Sequence, residues 1–167
     1  MYQIGDQVVY GFHGVCRIVD LGSQTINKTR KTFLVLEPLG QPGSKYLVPT
    51  HNAAAMDKLS PVLSSQEFTA LLHAPEIRSD HWIADENQRK QYYRMLIGSG
   101  DRVALLTMLY NLYMQKKQLS ALGRRLHICD ENFLRDAEKA LTGEISAVMS
   151  LDTADARDYL RRELALI

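Results

Sequence analysis

The spacing of apolar residues changes character near residue 60. Before it, apolar residues come in short runs separated by glycine, proline and polar turns, a pattern of strands. Gln7-Val8-Val9-Tyr10 predicts a first strand, and Gly11-Phe12-His13-Gly14 a turn. Val15 to Ile26 predicts a second strand, with Val15, Arg17, Val19 and Leu21 on one face and Cys16, Ile18 and Asp20 on the other. Asn27-Lys28-Thr29-Arg30 is a polar hairpin connection, and Thr32-Phe33-Leu34-Val35-Leu36 is dense in β-formers. Pro38, Gly40, Pro42 and Gly43 interrupt the pattern before a fourth strand, Tyr46-Leu47-Val48, which Pro49 stops. Asn52 to Leu59 predicts a short helix before Pro61. Four or five short strands joined by tight turns make a small bent sheet or barrel, whose exposed edge is a docking surface for another sheet.

From Ser64 onward the apolar residues fall three and four apart. Ser64 with Glu67 forms a capping-box pattern ahead of Phe68, Leu71 and Leu72, and Pro75 ends that helix. Asp80 or Asp85 caps the next, whose buried side is Tyr92, Tyr93, Leu96 and Ile97; Gly98-Ser99-Gly100 ends it. Asp101 caps a helix carrying Val103, Leu106, Leu109, Tyr110 and Tyr113. A long helix takes Phe133, Leu134, Ala137, Leu141, Ile145 and Val148, and Asp152 or Thr153 caps a last one ending in Tyr159, Leu160 and Leu164. The expected class is α+β: a β domain over residues 1–60 and a compact all-α domain over residues 61–167.

Composition adds boundaries. With 167 residues, 46% of them hydrophobic, the chain has material for packed cores but no apolar run long enough to span a membrane. The N-terminus lacks the basic and apolar regions of a signal peptide, and Cys16 and Cys129 stand far apart without a CxxC partner, so free thiols in the cytoplasm are expected. The five histidines are dispersed, which disfavours a metal site. No nucleophile elbow, Walker loop or dinucleotide fingerprint occurs. The expected chemistry is binding, not catalysis, with no cofactor and no metal.

Charge is where the chain departs from blandness. The net charge is only +1, yet residues 86–126 hold eight basic residues against Glu86 and Asp101, a net of +6. Residues 127–167 return −4, with nine acidic residues against five basic. A phosphate backbone responds to a patch, not to the total. Trp82, the only tryptophan, stands at the start of the basic stretch. An indole beside cations suits a nucleic-acid backbone with an aromatic wedge at a base step; an indole plugging a helix junction is the plainer alternative. Arg89, Lys90 and Arg94 follow Trp82 on one helix, while Lys116, Lys117, Arg124 and Arg125 flank a helix end, where cations also complement the helix dipole.

The residues Ile4-Gly5-Asp6-Gln7-Val8-Val9-Tyr10, His13-Gly14-Val15, Phe33-Leu34-Val35-Leu36 and Val48-Pro49 resemble the CarD/CdnL family of bacterial transcription regulators. Trp82-Ile83, Arg89-Lys90, Ser99-Gly100-Asp101, Gly123-Arg124-Arg125-Leu126, Asp130-Glu131 and Ala137-Glu138-Lys139-Ala140-Leu141 continue the likeness over nearly the whole chain. The opening is shared with the polymerase-binding module of the transcription-repair coupling factor. The resemblance implies a Tudor-like module that pairs an edge strand with the β-subunit lobe of RNA polymerase, and a helical part on promoter DNA at the upstream edge of the bubble. Trp82 matches the family's wedging tryptophan, so open-complex stabilisation by a non-enzymatic, monomeric protein is expected. Its DNA contacts would be Trp82, Arg89, Lys90, Arg94, Lys116, Lys117, Arg124 and Arg125; Gln24, Lys45, Tyr46, Leu47 and Val48 would form its polymerase face. Three departures stand out: Gly11 replaces a common proline, Gln24 and Leu47 stand where some relatives carry arginines, and His127 replaces a common serine helix cap. Two rival functions remain open. One is a protein-interaction adaptor that never touches DNA. The other is an RNA-binding small barrel with Tyr10, Phe12 and Phe33 as a stacking platform.

Overall fold

The computed structural model describes residues 2–164, except for the side chain of Phe12. The chain divides into two units between Val62 and Leu63. In the first, β1 (Gln7–Tyr10), β2 (Val15–Ile26), β3 (Thr29–Pro38), β4 (Tyr46–Pro49) and β5 (Leu59–Pro61) form one antiparallel sheet in the order β4-β3-β2-β1-β5. It is an open sheet among the described residues, with β4 and β5 at its edges. The divide falls two residues beyond the expected 60/61, because Leu59–Pro61 pairs with Val8–Tyr10 and completes the sheet. The helix expected over 52–59 shrinks to α1 (Ala53–Met56), capped by the Asn52 side chain on the Ala55 amide.

Register decides which side chains meet. Alternation places Val8, Cys16, Ile18, Leu34, Leu36 and Val48 in one core, with Leu59 closing it. Between Ile18 and Asp20 the ladder slips by one residue, a β-bulge that leaves Val19 without a partner. The slip moves Leu21 from the side of Val15 and Arg17, where strict alternation puts it, into register with the core-side Leu34. Beyond β1 the β2–β3 pair continues as a ribbon and closes with Asn27 and Lys28, both at positive φ (51° and 65°), the conformation of a two-residue hairpin turn.

The second unit contains α2 (Ser65–Leu72), a 3-10 turn (Pro75–Arg78), α3 (Glu86–Ser99), α4 (Arg102–Ala121), α5 (Ile128–Met149) and α6 (Thr153–Glu163). The capping box forms as the sequence predicts: Ser64 Oγ accepts from the Glu67 amide at 3.1 Å, and Glu67 Oε2 from the Ser64 amide at 2.8 Å. Asp85, Asp101 and Asp152 cap α3, α4 and α6. His127 precedes α5 without a side-chain cap. The core joins Phe68, Leu72, Ile77, Tyr93, Leu96, Leu106, Leu109, Leu112, Leu134, Leu141, Ile145 and Leu160. Tyr92 and Val103, expected inside, are exposed. Tyr93, Leu96, Leu106 and Leu109 are buried as expected, and Arg89 of α3 and Leu105, Met108, Asn111 and Leu112 of α4 join them. Arg78 ties two helix ends together, donating to the Leu72 carbonyl from Nη1 and to the Glu163 carbonyl from Nη2, each at 2.9 Å.

Three buried proton donors make stability fall at high pH. Burial pushes the Cys16 thiol up to about 11, and the Tyr93 and Tyr113 phenols up to about 12. Each group holds its proton more tightly folded than unfolded, so its contribution is complete below the unfolded pKa and is lost as pH rises through the folded one. Denaturant midpoints are expected to decline from pH 9 to 11 through Cys16, starting at its ordinary value of 9.0. The tyrosines add a second decline toward pH 12. In Cys16→Ala the first decline disappears and the second stays.

Candidate nucleic-acid and partner interfaces

β4 is an edge strand of four residues, and β3 is its only strand partner among the described residues. By alternation the Leu47 N–H and C=O lie on its outer side, whereas Pro49 has no N–H and its carbonyl accepts from the Asn52 amide at 3.2 Å. Register pairs Gln24 with Lys31, Phe33 with Pro49 and Val35 with Leu47. By alternation Gln24, Lys31, Phe33, Val35 and Leu47 share the face opposite the core. Leu47 is 61% exposed, and Lys45 and Gln24 are exposed too. The structure thus brings Gln24 and Leu47, distant in sequence, onto one face. Val48 differs from expectation: its side chain is fully buried, and the register turns its main-chain groups toward Leu34 of β3, so it offers a partner no contact. Tyr46 is half-buried, 4.2 Å from the His13 ring and 6.0 Å from Tyr10.

The same register tells against an aromatic RNA platform. Tyr10 packs on the core side with Tyr46, whereas Phe33 lies on the opposite face. Flat stacking of successive bases needs rings on one side. The side chain of Phe12 lies outside the described residues.

In the helical unit, Trp82 lies in the irregular segment between the 3-10 turn and α3, partly buried against the core. Its amide donates to Asp80 Oδ1 at 3.1 Å, so Asp80 caps this loop while Asp85 caps α3. The Arg89 guanidinium carbon lies 4.5 Å from the centre of the indole. This arginine is 3% exposed. Its Nε and Nη2 donate to both oxygens of Asp130, at 2.9 and 2.7 Å, and its Nη1 donates to the Ile83 carbonyl at 2.8 Å. Hydrogen bonding to Asp130 pushes its pKa up, against the opposing cost of burial. Arg89 is therefore not a phosphate contact, as the sequence suggested, because its donors are spent inside the protein.

Other expected DNA contacts also have partners. Lys90 pairs with Glu86 at 3.0 Å across one helical turn, and Glu86 Oε1 also accepts from the Cys129 thiol at 3.6 Å. The Lys90 hydrogen bond holds the Glu86 carboxyl below its ordinary range. Lys116 pairs with Glu131 at 3.2 Å. Arg94, Lys117, Arg124 and Arg125 are exposed and form no ion pair among the described residues. Gly123, at φ +70°, turns the chain out of α4, and the Arg124 amide donates back to Leu119 at 2.8 Å, presenting the two arginines in the turn before α5. The first turn of α5 is the meeting point: it supplies Cys129 to the Glu86–Lys90 pair, Asp130 to Arg89 beneath Trp82, and Glu131 to Lys116.

Sequence inspection missed Asn111, Asp130, Glu138 and Glu144. Asn111 was findable as an amide in the apolar stripe of α4. Asp130 entered the sequence reading only in the acidic count of residues 127–167 and in the Asp130-Glu131 likeness. Glu144 takes Arg102 Nη2 at 2.8 Å, and Glu138 takes Arg161 Nε at 2.6 Å. A cleft of about 360 Å³ opens beside the second pair, lined by Tyr113, Lys116, Glu131, Leu134, Arg135, Glu138 and Arg161. Among the described residues no three His, Cys, Asp or Glu side chains gather as a metal site, and no helix is long and apolar enough to cross a membrane.

The family model of the CarD-like/TRCF RID domain, an RNA polymerase-interacting domain, matches residues 2–61. That span is the five-stranded sheet, from the residues leading into β1 to the end of β5. The first unit of this chain is thus similar, over nearly its whole length, to the CarD-like RNA polymerase-interacting domain.

Proposed function

We propose that the protein is a cytoplasmic transcription regulator that docks on the β-subunit lobe of RNA polymerase and stabilises the open promoter complex through its helical unit. The observation that carries this reading is the pairing of a polymerase-interacting domain with an unpaired edge strand. Docking is strand addition along β4, with main-chain hydrogen bonds for affinity and the Gln24–Leu47 face for specificity. The helical unit then meets DNA at the upstream edge of the bubble. There Arg94, Lys117, Arg124 and Arg125 face phosphates, and Trp82 presses on the exposed step. Lys90 and Lys116 are weaker contacts, since each already holds a carboxylate. Binding only the opened form shifts the equilibrium toward it. A tether to polymerase raises the local DNA concentration, so a weak, sequence-tolerant surface suffices. In this reading the protein acts as a monomer and by binding alone.

A polymerase adaptor without DNA contact is the second reading. It is favoured by the internal pairing of Arg89, Lys90 and Lys116, which removes much of the cationic surface counted from the sequence.

Three measurements separate the parts. Leu47→Asp is expected to weaken polymerase binding about tenfold, the loss of one apolar contact of about 1–2 kcal/mol, without changing thermal stability; unchanged affinity would place docking elsewhere. Trp82→Ala should shorten open-complex lifetime about tenfold while polymerase affinity holds. Replacing Arg94, Lys117, Arg124 and Arg125 together by alanine should reduce the salt dependence of promoter-complex binding by a log–log slope of about 3–4. A slope equal to wild type would favour the adaptor.

A further inference from the structure

A connecting segment such as Ser79–Asp85 ordinarily has few constraints. Here nearly every residue is fastened. Asn111 of α4, buried among leucines, donates through Nδ2 to the Ser79 carbonyl and accepts at Oδ1 from the His81 amide, both at 3.0 Å. Asp80 holds the Trp82 amide, Arg89 holds the Ile83 carbonyl, and Asp85 caps α3. The fastened backbone leaves the Trp82 side-chain torsions as the remaining freedom, and the one cation against that ring among the described residues is the Arg89 guanidinium.

A guanidinium is planar, with donors in a fixed fork. Two of its nitrogens are bound by a carboxylate that is itself 1% exposed, so its plane cannot rotate. A buried ion pair contributes little net stability compared with apolar side chains of the same volume, because both charges lose their water. What this pair adds beyond filling space is direction: it fixes a flat cation 4.5 Å from the ring centre of the only tryptophan.

We propose that Asp130, acting through Arg89, is a positioning residue that sets the orientation of the Trp82 indole. Its consequence in transcription rests on the wedge role proposed above, but the clamp is a property of the free protein. Asp130 lies on α5 and Trp82 before α3, so the packing of α5 against α3 is transmitted to the ring through one side chain.

The sole tryptophan makes the test specific, since fluorescence excited selectively in tryptophan, beyond the absorption of the tyrosines, reports on this site alone. Full-length wild type is compared with Asp130→Asn, Arg89→Lys and the double variant Arg89→Met/Asp130→Leu. The double variant replaces the pair by apolar side chains and retains stability without the clamp; it carries the test if Asp130→Asn fails to fold. In every folded variant acrylamide quenching of Trp82 is expected to rise about two- to fivefold, the worth of one lost cation–π contact, with a larger fast component in the anisotropy decay. Wild-type quenching and anisotropy in the folded double variant would overturn the proposal, because a purely structural pair is restored by apolar replacement and a clamp is not. In promoter complexes, Asp130→Asn should shorten open-complex lifetime about three- to tenfold, and cause no further loss in a Trp82→Ala background. An equal loss in that background would mean that Asp130 does not act through the indole. If Trp82→Ala leaves the lifetime unchanged, the wedge role fails by itself, while the fluorescence comparison still decides the clamp.

Discussion

The ion pair between Arg89 and Asp130 organises the helical unit where it matters. It joins the first turns of α3 and α5, takes up the Ile83 carbonyl of the irregular segment, and lies against the chain's only tryptophan. Breaking such a pair from one side leaves a buried charge without a partner, at a cost of about 3–5 kcal/mol; replacing both sides together costs far less. The interaction therefore enforces an arrangement more than it adds stability. Asn111 does the same for the preceding residues, with an amide satisfied on both its donor and acceptor sides. Arg89, Asn111 and Asp130 are all buried polar groups beside this loop, and their common effect is to make an irregular segment adopt one conformation.

The fold was largely legible because its signals are local. The capping box at Ser64 and Glu67, the glycine that ends α3 at φ +73° and the aspartates that cap α3, α4 and α6 are read within four residues. The strands were legible for the same reason, from runs bounded by glycine and proline. Local signals failed where a slip entered. The bulge after Ile18 reverses the faces of β2, and no residue type in Val19-Asp20 announces it. Of the four or five strands expected, the fifth had no position: Leu59–Pro61 is too short for a periodic pattern and exists because β1 offers it an edge.

The functional surface was less legible, because charge in sequence is not charge in space. Counting residues 86–126 alone gives a dense basic stretch, but Asp130 and Glu131 lie just outside that window and fold back against Arg89 and Lys116. Arg102 is likewise drawn to Glu144, 42 positions away. The acidic character of the last part of the chain, which balanced the total charge on paper, neutralises specific cations in the fold. What remains unpaired is a smaller set, Arg94, Lys117, Arg124 and Arg125. Trp82 was legible as a marked residue, but Arg89 was assigned to phosphates, whereas it serves the indole from inside.

An exposed strand edge is a hazard, and this sheet limits it. β4 is only four residues long, is preceded by Lys45, and ends in Pro49, which has no N–H to offer. These features discourage indiscriminate pairing between copies of the chain. They also limit what a strand partner gains, since a typical hydrogen bond contributes only about 1 kcal/mol net. Main-chain pairing along so short an edge cannot by itself give tight, selective docking. Side chains on the same face must supply the rest, and register places Leu47 and Gln24 there, one apolar and one polar, without a fixed charge on either. Lys31, paired with Gln24 across the ribbon, and Lys45, two residues before Leu47, are the cations beside them. A polymerase surface that fits this face is therefore apolar opposite Leu47 and offers hydrogen bonds opposite Gln24. If docking uses this face as proposed, an acidic patch matched to arginines at those two positions would be left unpaired.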